Sequence, residues 1–235
     1  MYKKLVELTV EQHENLTYHP VKNYEFARNM VSVPVTAGEL GRVAKYYPVI
    51  FPDGDPVAPH AILGLEQGKN SYVSREGKWM MPYIPMSILC YPFALVRKNG
   101  ELKLCIDKEA PHFAVEGEEG TRLFENGKYS GFTQQVVKFL EWFNNDLRAT
   151  ITAVRDLAKK GVLEENNLNV KVKNKVFSVA GCRVVNRERL RALEDSVLAE
   201  WVRSGLSMII ELHLMSLENL KTLALQHISI YGGLS

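Results

Sequence analysis

Hydrophobic and polar positions alternate in short runs through the first half of the chain, which is the pattern of half-buried β-strands. The sharpest case is a hairpin of residues 93–98 and 101–106, because Asn99-Gly100 between them supplies the positive φ angles of a type I′ turn. The spacing of Thr36 and Glu39 is that of a helix capping box. Other runs predict strands at 31–35, 47–51 and 61–65, a helix from the capping box to about 45, a hairpin turning at 74–77, and a turn at Asn126-Gly127.

In the second half, apolar residues recur at intervals of three and four, which predicts amphipathic helices. The first of these runs from Leu140 to Leu157 and ends at Lys159-Lys160-Gly161, since cations and a glycine are typical of a helix C-terminus. We also predict a strand at 176–185, a helix at 190–201 that Asn186 caps and Ser204-Gly205 ends, a strand at 207–214, and a last helix at 217–226 that Ser216 caps.

The ten prolines all lie between residues 20 and 111. Because proline removes a backbone donor and is poorly tolerated inside helices, the proline-free remainder favours helices. The predicted fold class is therefore α+β, in which a β-rich part with hairpins, residues 1–130, packs with a helix-rich part, residues 131–235. We expect the two parts to form one compact unit, so that residues 1–235 are equally described as a single domain.

Composition excludes the extreme classes of protein. Of 235 residues, 46% are hydrophobic, and 29 basic against 27 acidic residues leave a net charge of +2. A chain of this length buries enough surface to need neither disulfides nor a structural metal, and its near-zero charge argues against nucleic-acid binding. An odd number of cysteines, no visible secretory signal and no apolar run of bilayer length predict a cytoplasmic protein without a transmembrane segment.

Motifs that define enzyme classes by their spacing are missing from the sequence. There is no phosphate-binding glycine loop, no Gly-x-Ser-x-Gly elbow and no His-Glu-x-x-His pair. The six histidines are scattered singly. We therefore predict no metal and no cofactor.

The best local polar pair is Glu211 with His213, because residues two apart on a strand share a face and a carboxylate can orient an imidazole. A solvated strand edge explains the same pair. Together with Glu39 and Asp107, these residues are the candidates for a dispersed acid–base or ligand-fixing site. In that alternative the chain is an enzyme or an enzyme helper, and three of the four candidates would share one pocket.

An aromatic and proline-rich run extends from Trp79 to Phe93. Rigid rings beside prolines can build a groove for a ligand, and methionines add an adaptable surface. The competing interpretation, that these rings form the core of a β-rich layer, needs no ligand. The predicted ligand-binding residues are Trp79, Tyr83, Tyr91 and Phe93, with Tyr47, Phe51 and Asn70 as neighbours.

Several short segments follow one another in a recognisable order: Tyr47-Pro-Val-Ile-Phe51, Gly68-Lys-Asn70, Gly77-Lys-Trp79, Tyr83-Ile-Pro85, Tyr91-Pro-Phe93, Cys105-Ile-Asp107, Glu116-Gly117 and Leu123-Phe124. The second half adds Val179-Ala-Gly181 through Val185, Leu190, Leu193, Trp201, Gly205-Leu206, His213-Leu-Met-Ser-Leu217 and Asn219. In this order the segments resemble the SapC-like family of bacterial proteins, over roughly residues 24–227.

The resemblance implies a context rather than a reaction, because the family takes its name from a gene associated with the bacterial surface layer, a paracrystalline protein coat. It implies a soluble accessory protein of surface-layer biogenesis that binds a protein partner, such as a surface-layer or envelope component, and an association with the cell surface. A self-assembling structural subunit, and hence a homo-oligomer, is a further alternative. The similarly named permease of peptide uptake is a membrane protein, which this chain does not resemble.

The sequence departs from the family pattern at two places. Arginines commonly precede Tyr-Pro-Phe in the family, whereas Ile88-Leu89-Cys90 stand there in this chain. An aspartate is expected after the strand that ends at Val185, and Asn186 replaces it. If those charges bind a ligand in relatives, this chain has lost or changed that role.

Overall fold

A computed structural model describes residues 1–55, 58–115 and 120–232, and for Val115 the backbone alone. Glu116-Gly117, part of the resemblance above, lies outside the described residues. The strands are β1 (Leu5–Glu7), β2 (Leu16–Tyr18), β3 (Ser32–Pro34), β4 (Val49–Pro52), β5 (His60–Ile62), β6 (Phe93–Lys98), β7 (Glu101–Asp107), β8 (Phe113–Val115), β9 (Thr121–Arg122), β10 (Phe124–Glu125), β11 (Lys128–Tyr129), β12 (Leu163–Val172) and β13 (Lys175–Val185). The helices are α1 (Val10–His13), α2 (Ala37–Val43), α3 (Met86–Leu89), α4 (Gly131–Lys159), α5 (Arg187–Arg191), α6 (Asp195–Ser204), α7 (Leu206–Ser216) and α8 (Asn219–Tyr231).

The strands form antiparallel sheets, and the fold is α+β as predicted. The largest sheet has five strands in the order β12-β13-β4-β5-β3, so it combines strands from both sides of residue 130. Two three-stranded sheets have the orders β1-β7-β6 and β8-β2-β9, and β10 pairs with β11. Helices predominate toward the C-terminus, after the long β12–β13 hairpin.

The turn chemistry of the first half is largely confirmed. β6 and β7 form the predicted hairpin, in which Asn99 and Gly100 have φ angles of 51° and 85°. The second Asn-Gly pair turns the chain between β10 and β11 in the same way. The hairpin predicted around 74–77 is reduced to a tight turn closed by a single bridge between Val73 and Trp79.

Helix α4 has 29 residues and contributes to two hydrophobic cores. Near its middle, Leu140 and Phe143 pack into the core around the β6–β7 hairpin. Toward its end, Val154 and Leu157 pack into the core of the five-stranded sheet. The helix ends at Lys159, and Gly161 follows with a φ angle of 67°, which confirms the predicted C-terminus.

Two predictions in the second half are wrong. The segment 207–214 is not a strand but belongs to α7, and Ser216 lies inside this helix instead of capping the next one. Helix α7 itself carries apolar residues on almost all of its sides, so neither the helical nor the strand period stands out in its sequence.

The helix predicted at 190–201 is divided into α5 and α6. The ends assigned to it are confirmed, because Asn186 caps α5 and Gly205 ends α6 with a φ angle of 80°.

The strand β13 bends where it leaves β12 to reach β4. Gly181 has a φ angle of 68° and lies where the register between the two strands shifts, as in a β-bulge. Beyond the bulge, β13 pairs with β4 at only two positions, Cys182 with Pro52 and Arg183 with Phe51. The connection between the hairpin and the rest of the sheet is therefore short.

We predict that Gly181→Ala destabilises the protein by about 1 kcal/mol, because a side chain disfavours the left-handed backbone even where space exists. Space does exist, since the nearest atom to an added Cβ is Asp53 Oδ2 at 3.9 Å. Chemical denaturation measures the change. Gly41→Ala is the matched control: it lies in α2 with no atom within 4 Å of the added Cβ among the described residues, and it should raise stability by about 0.5–1 kcal/mol. Equal effects of the two changes would contradict the bulge geometry.

Candidate functional site

His213 occupies the position where β4 and β13 separate. Continuing their register would pair Val49 with Val185, but the imidazole lies between these two residues. Its Nδ1 lies 2.8 Å from Val49 O, and Val185 N donates to Nε2 at 3.1 Å. Ser216, one turn later, accepts from Val49 N at 2.9 Å. Helix α7 thus supplies the hydrogen bonds that the sheet lacks at this point.

These contacts define the protonation state of His213. Because Val185 N–H donates to Nε2, the proton of the neutral ring is assigned to Nδ1, where it is donated to Val49 O. Burial lowers the pKa of His213 to about 4, although the bond to Val49 partly opposes this. The residue has no exposed surface. It is neutral at physiological pH, with both ring nitrogens occupied.

The structure does not bring Glu211 and His213 together. Glu211 and His213 would share a face on a strand. In helix α7, however, residues two apart point in nearly opposite directions. Glu211 is exposed, whereas His213 is buried in the sheet. This correction follows directly from the wrong secondary structure predicted for 207–214.

Glu39 is buried beneath the segment that follows Tyr83. Its Oε2 accepts hydrogen bonds from the Tyr83 hydroxyl and from Met86 N, both at 2.9 Å. Its Oε1 accepts from Thr36 N at 3.3 Å, which is the bond expected of the capping box. Burial raises the pKa of Glu39, and these bonds oppose the rise. Glu39 thus anchors the chain at 83–86 to helix α2.

Asp107 anchors the N-terminus of the chain. Its two carboxylate oxygens accept from the backbone N–H groups of Lys3 and Lys4, both at 2.9 Å, from Glu109 N at 3.2 Å and from the Tyr91 hydroxyl at 3.2 Å. Burial by itself raises its pKa, but these donors hold the pKa of Asp107 below its ordinary value. The four acid–base candidates therefore lie in separate places, and each of the three buried ones binds backbone groups.

Most of the predicted aromatic groove lies in the interior. Tyr47, Phe51, Tyr91, Phe93 and Asn70 are all buried. Asn70 bonds backbone groups on both sides, donating to Ala27 O at 3.0 Å and accepting from Tyr72 N at 2.8 Å. Trp79 and Tyr83 are partly exposed. The structure therefore does not present the seven residues on one surface.

The neighbours of these rings reach the surface instead. We call residues 79–89 the aromatic segment. Within it, Met80 and Leu89 are 41% and 47% exposed, and Pro82 is exposed as well. The rings fix the segment from beneath, because Trp79 Nε1 donates to the Tyr47 hydroxyl at 2.9 Å and that hydroxyl donates to Tyr83 O. Apolar side chains are thus displayed on a rigidly held loop.

A polar group that no sequence pattern indicated lies on α8. Ser71 Oγ lies 2.9 Å from His227 Nδ1, and Glu66 Oε1 lies 3.1 Å from Nε2. Glu66 and Lys69, whose Nζ lies 2.5 Å from Glu66 Oε2, line a cavity of about 150 Å³ together with His227. Glu66 and Ser71 are near neighbours in the sequence, but His227 follows Ser71 by 156 positions, so no spacing motif could have revealed the group.

This group does not have the geometry of a nucleophile triad. A catalytic serine must reach its substrate, but Ser71 has no exposed surface and lies on the inner side of the imidazole. The carboxylate of Glu66 lies on the cavity side instead. Burial lowers the pKa of His227, and Glu66 opposes the decrease. The arrangement connects α8 to the chain at 66–71.

A family model described as SapC matches residues 8–223 of the chain. The chain belongs to the SapC family. The match extends from Leu8, between β1 and α1, into α8. It therefore includes the buried residues of the two cores to which α4 contributes, and every candidate residue named from the sequence. The comparisons find no matching curated protein and no matching solved structure.

The structure places both departures from the family pattern. Asn186 accepts from the N–H groups of Glu188 and Arg189, both at 2.9 Å, so it caps α5 as an aspartate would. In the Ile88-Leu89-Cys90 segment, Ile88 and Cys90 are buried and Leu89 is exposed. The positions where the resemblance led us to expect arginines are thus partly core in this chain.

Two further features bear on the class of site. None of the helices within the described residues is long and apolar enough to cross a membrane. In the same residues, no three His, Cys, Asp or Glu side chains converge as a metal centre would require.

We predict that His213 makes the protein sensitive to acid. The pKa of His213 is near 6.5 in the unfolded chain and about 4 in the folded state, so between these pH values the unfolded chain binds a proton that the folded state does not. Stability is therefore complete above about pH 6.5 and falls by up to about 3 kcal/mol as the pH decreases toward 4. Denaturation curves between pH 7.5 and 4 should show a shallower loss for His213→Gln than for the unmodified chain. Parallel curves would contradict the assignment.

A second prediction separates the buried carboxylate of Asp107 from the exposed one of Glu211. Asp107→Ala leaves the amides of Lys3 and Lys4 without their acceptor, and we expect a loss of about 2 kcal/mol. Glu211→Ala should change stability by less than about 0.5 kcal/mol. Urea denaturation of the two variants tests the difference, and an equal effect would show that the Asp107 bonds contribute nothing.

Proposed function

We propose that this SapC family member is a soluble accessory protein of bacterial surface-layer biogenesis that acts by binding a protein partner rather than by catalysis. Membership of the family supports the context. The proposed partner is a surface-layer or envelope component, which implies association with the cell surface. The small net charge of +2 argues against a nucleic-acid partner.

The observation that carries the proposal is the aromatic segment. Its backbone is fixed by Met80 N, which donates to Tyr72 O at 2.8 Å, and by the bonds to Glu39 and Tyr47. A segment that is already ordered loses little conformational entropy when it binds. Exposed methionine, proline and leucine side chains on such a segment are typical of a protein-binding surface.

The separation of the acid–base candidates favours binding over catalysis. General acid–base chemistry needs groups within hydrogen-bond reach of one substrate. Glu39, Asp107 and His213 each contact different strands or helices, and their polar atoms bond the protein's own backbone. Such residues are expected to determine stability, as the predictions above specify.

The test is affinity capture from an envelope extract of the native cell, followed by mass spectrometry. We expect a surface-layer or envelope protein to be retained on the unmodified chain. Met80→Lys and Leu89→Lys, made separately, should each reduce its retention by about ten-fold or more, because a buried charge weakens an apolar interface.

Leu102→Lys is the matched control, because Leu102 is 42% exposed on β7, outside the segment. It should leave retention unchanged. Thermal unfolding of all three variants verifies that each is folded. Equal retention by the three variants would contradict the assigned surface, and retention of no envelope protein by the unmodified chain would contradict the proposed partner.

A further inference from the structure

Strand β12 forms one edge of the five-stranded sheet, with β13 as its only neighbour in the described part of the chain. Its side chains alternate regularly between two faces. On the outer face, four side chains in succession are exposed; they are Glu165, Asn167, Asn169 and Lys171. On the inner face the side chains are partly or fully buried, and Val170 and Val172 pack with Ala224 of α8.

The edge of β12 is open to pairing with another strand. An edge strand presents unpaired backbone N–H and C=O groups, which proteins commonly protect with prolines, bulges or charged side chains. β12 contains no proline, the bulge at Gly181 lies in β13, and Glu165 and Lys171 are its exposed charges. The inner-face contacts with α8 hold β12 in place without covering its outer face. Asn169 Nδ2 donates to Asn167 O at 3.1 Å, a bond within the strand that a pairing strand would replace, and the edge is otherwise an extended strand.

The outer face of β12 is complementary to itself. When two antiparallel copies are centred on Leu168, Glu165 of each copy lies opposite Lys171 of the other. Asn167 and Asn169 likewise lie opposite each other across the pair. Both charge pairs are attractive, since directly opposed side chains of opposite charge stabilise a sheet. The order Glu-Asn-Asn-Lys is what produces this match.

No neighbouring register gives the same match. Moving the centre to Asn167 places Glu165 opposite Asn169 and Lys171 opposite Leu163, so neither charge has a partner of opposite sign. Moving it to Asn169 places Lys171 opposite Asn167, and Glu165 then lies opposite Lys173, which is beyond the end of β12 in a turn with a φ angle of 54°. A slip of one residue in the pairing would direct the buried side chains to the exposed face. At the favoured register, Leu168 meets its own copy on the inner face.

The geometry points to a symmetric dimer in which β12 pairs antiparallel with β12 of a second copy, centred on Leu168, and joins two five-stranded sheets edge to edge. The occupant is a second copy because the charge pattern is matched to itself. This surface is separate from the aromatic segment, so the dimer stands independently of the proposed partner.

Sedimentation equilibrium over a concentration series tests the proposal on the full chain. We expect a reversible dimer that weakens as salt is added, because the charge pairs are exposed. Glu165→Lys and Lys171→Glu each convert two attractive pairs into repulsive ones. Each should raise the dimer dissociation constant by about ten-fold or more. Lys173→Glu, in the adjacent turn, is the control with the same charge change; it lies opposite the uncharged Leu163 of the other copy and should raise the constant far less.

Mixing the two single variants is the decisive measurement. The Glu165→Lys chain carries lysine at both positions and the Lys171→Glu chain carries glutamate at both, so the mixture should restore dimer formation. A double reversal in one chain should restore it as well. A monomer at ~1 mM, equal effects of Lys171→Glu and Lys173→Glu, no recovery in the mixture, or capture of a different protein by β12 would each overturn the proposal.

Discussion

The imidazole of His213 joins strands β4 and β13 to helix α7. The β12–β13 hairpin joins the central sheet through two residue pairs only, and the ladder would stop there with unpaired backbone groups. His213 and Ser216 satisfy those groups from α7, at Val49 and Val185. Because an unpaired buried polar group costs about as much as a lost hydrogen bond, one helix completes the sheet. The low pKa of this histidine follows from the same burial.

The acid–base candidates named from the sequence mostly bond other parts of the protein. Glu39 holds the aromatic segment, Asp107 holds the N-terminal strand, and the rings of Tyr47 and Tyr91 lie in or near the cores. Their shared property is that a buried polar atom needs a partner, which here is backbone for most bonds and a side chain for others, such as the Tyr91 hydroxyl on Asp107. The consequence for function is indirect. A loop fixed in this way can display apolar side chains such as Met80 to another protein without becoming disordered.

Two exposed surfaces suit different kinds of partner. The aromatic segment displays apolar side chains, and the edge of β12 displays a charge pattern matched to itself. They differ physically, because the first suits an apolar partner surface, whereas the second uses backbone pairing and charge. Membership of the SapC family is compatible with both. A dimer through β12 would carry two copies of the aromatic segment, and two weak contacts in one particle bind more tightly than either alone.

Local features follow from turn, cap and periodicity rules in the sequence: they are the Asn99-Gly100 hairpin, the cap at Asn186, the end of α4 at Gly161 and the α+β class. The family resemblance is also visible in the sequence. Three other features became clear from the packed chain: 207–214 is a helix, the aromatic run is largely interior, and Ser71, Glu66 and His227 meet. The reason is that local rules depend on neighbours along the chain. Burial, and the pairing of buried polar atoms, depend on residues far apart in sequence.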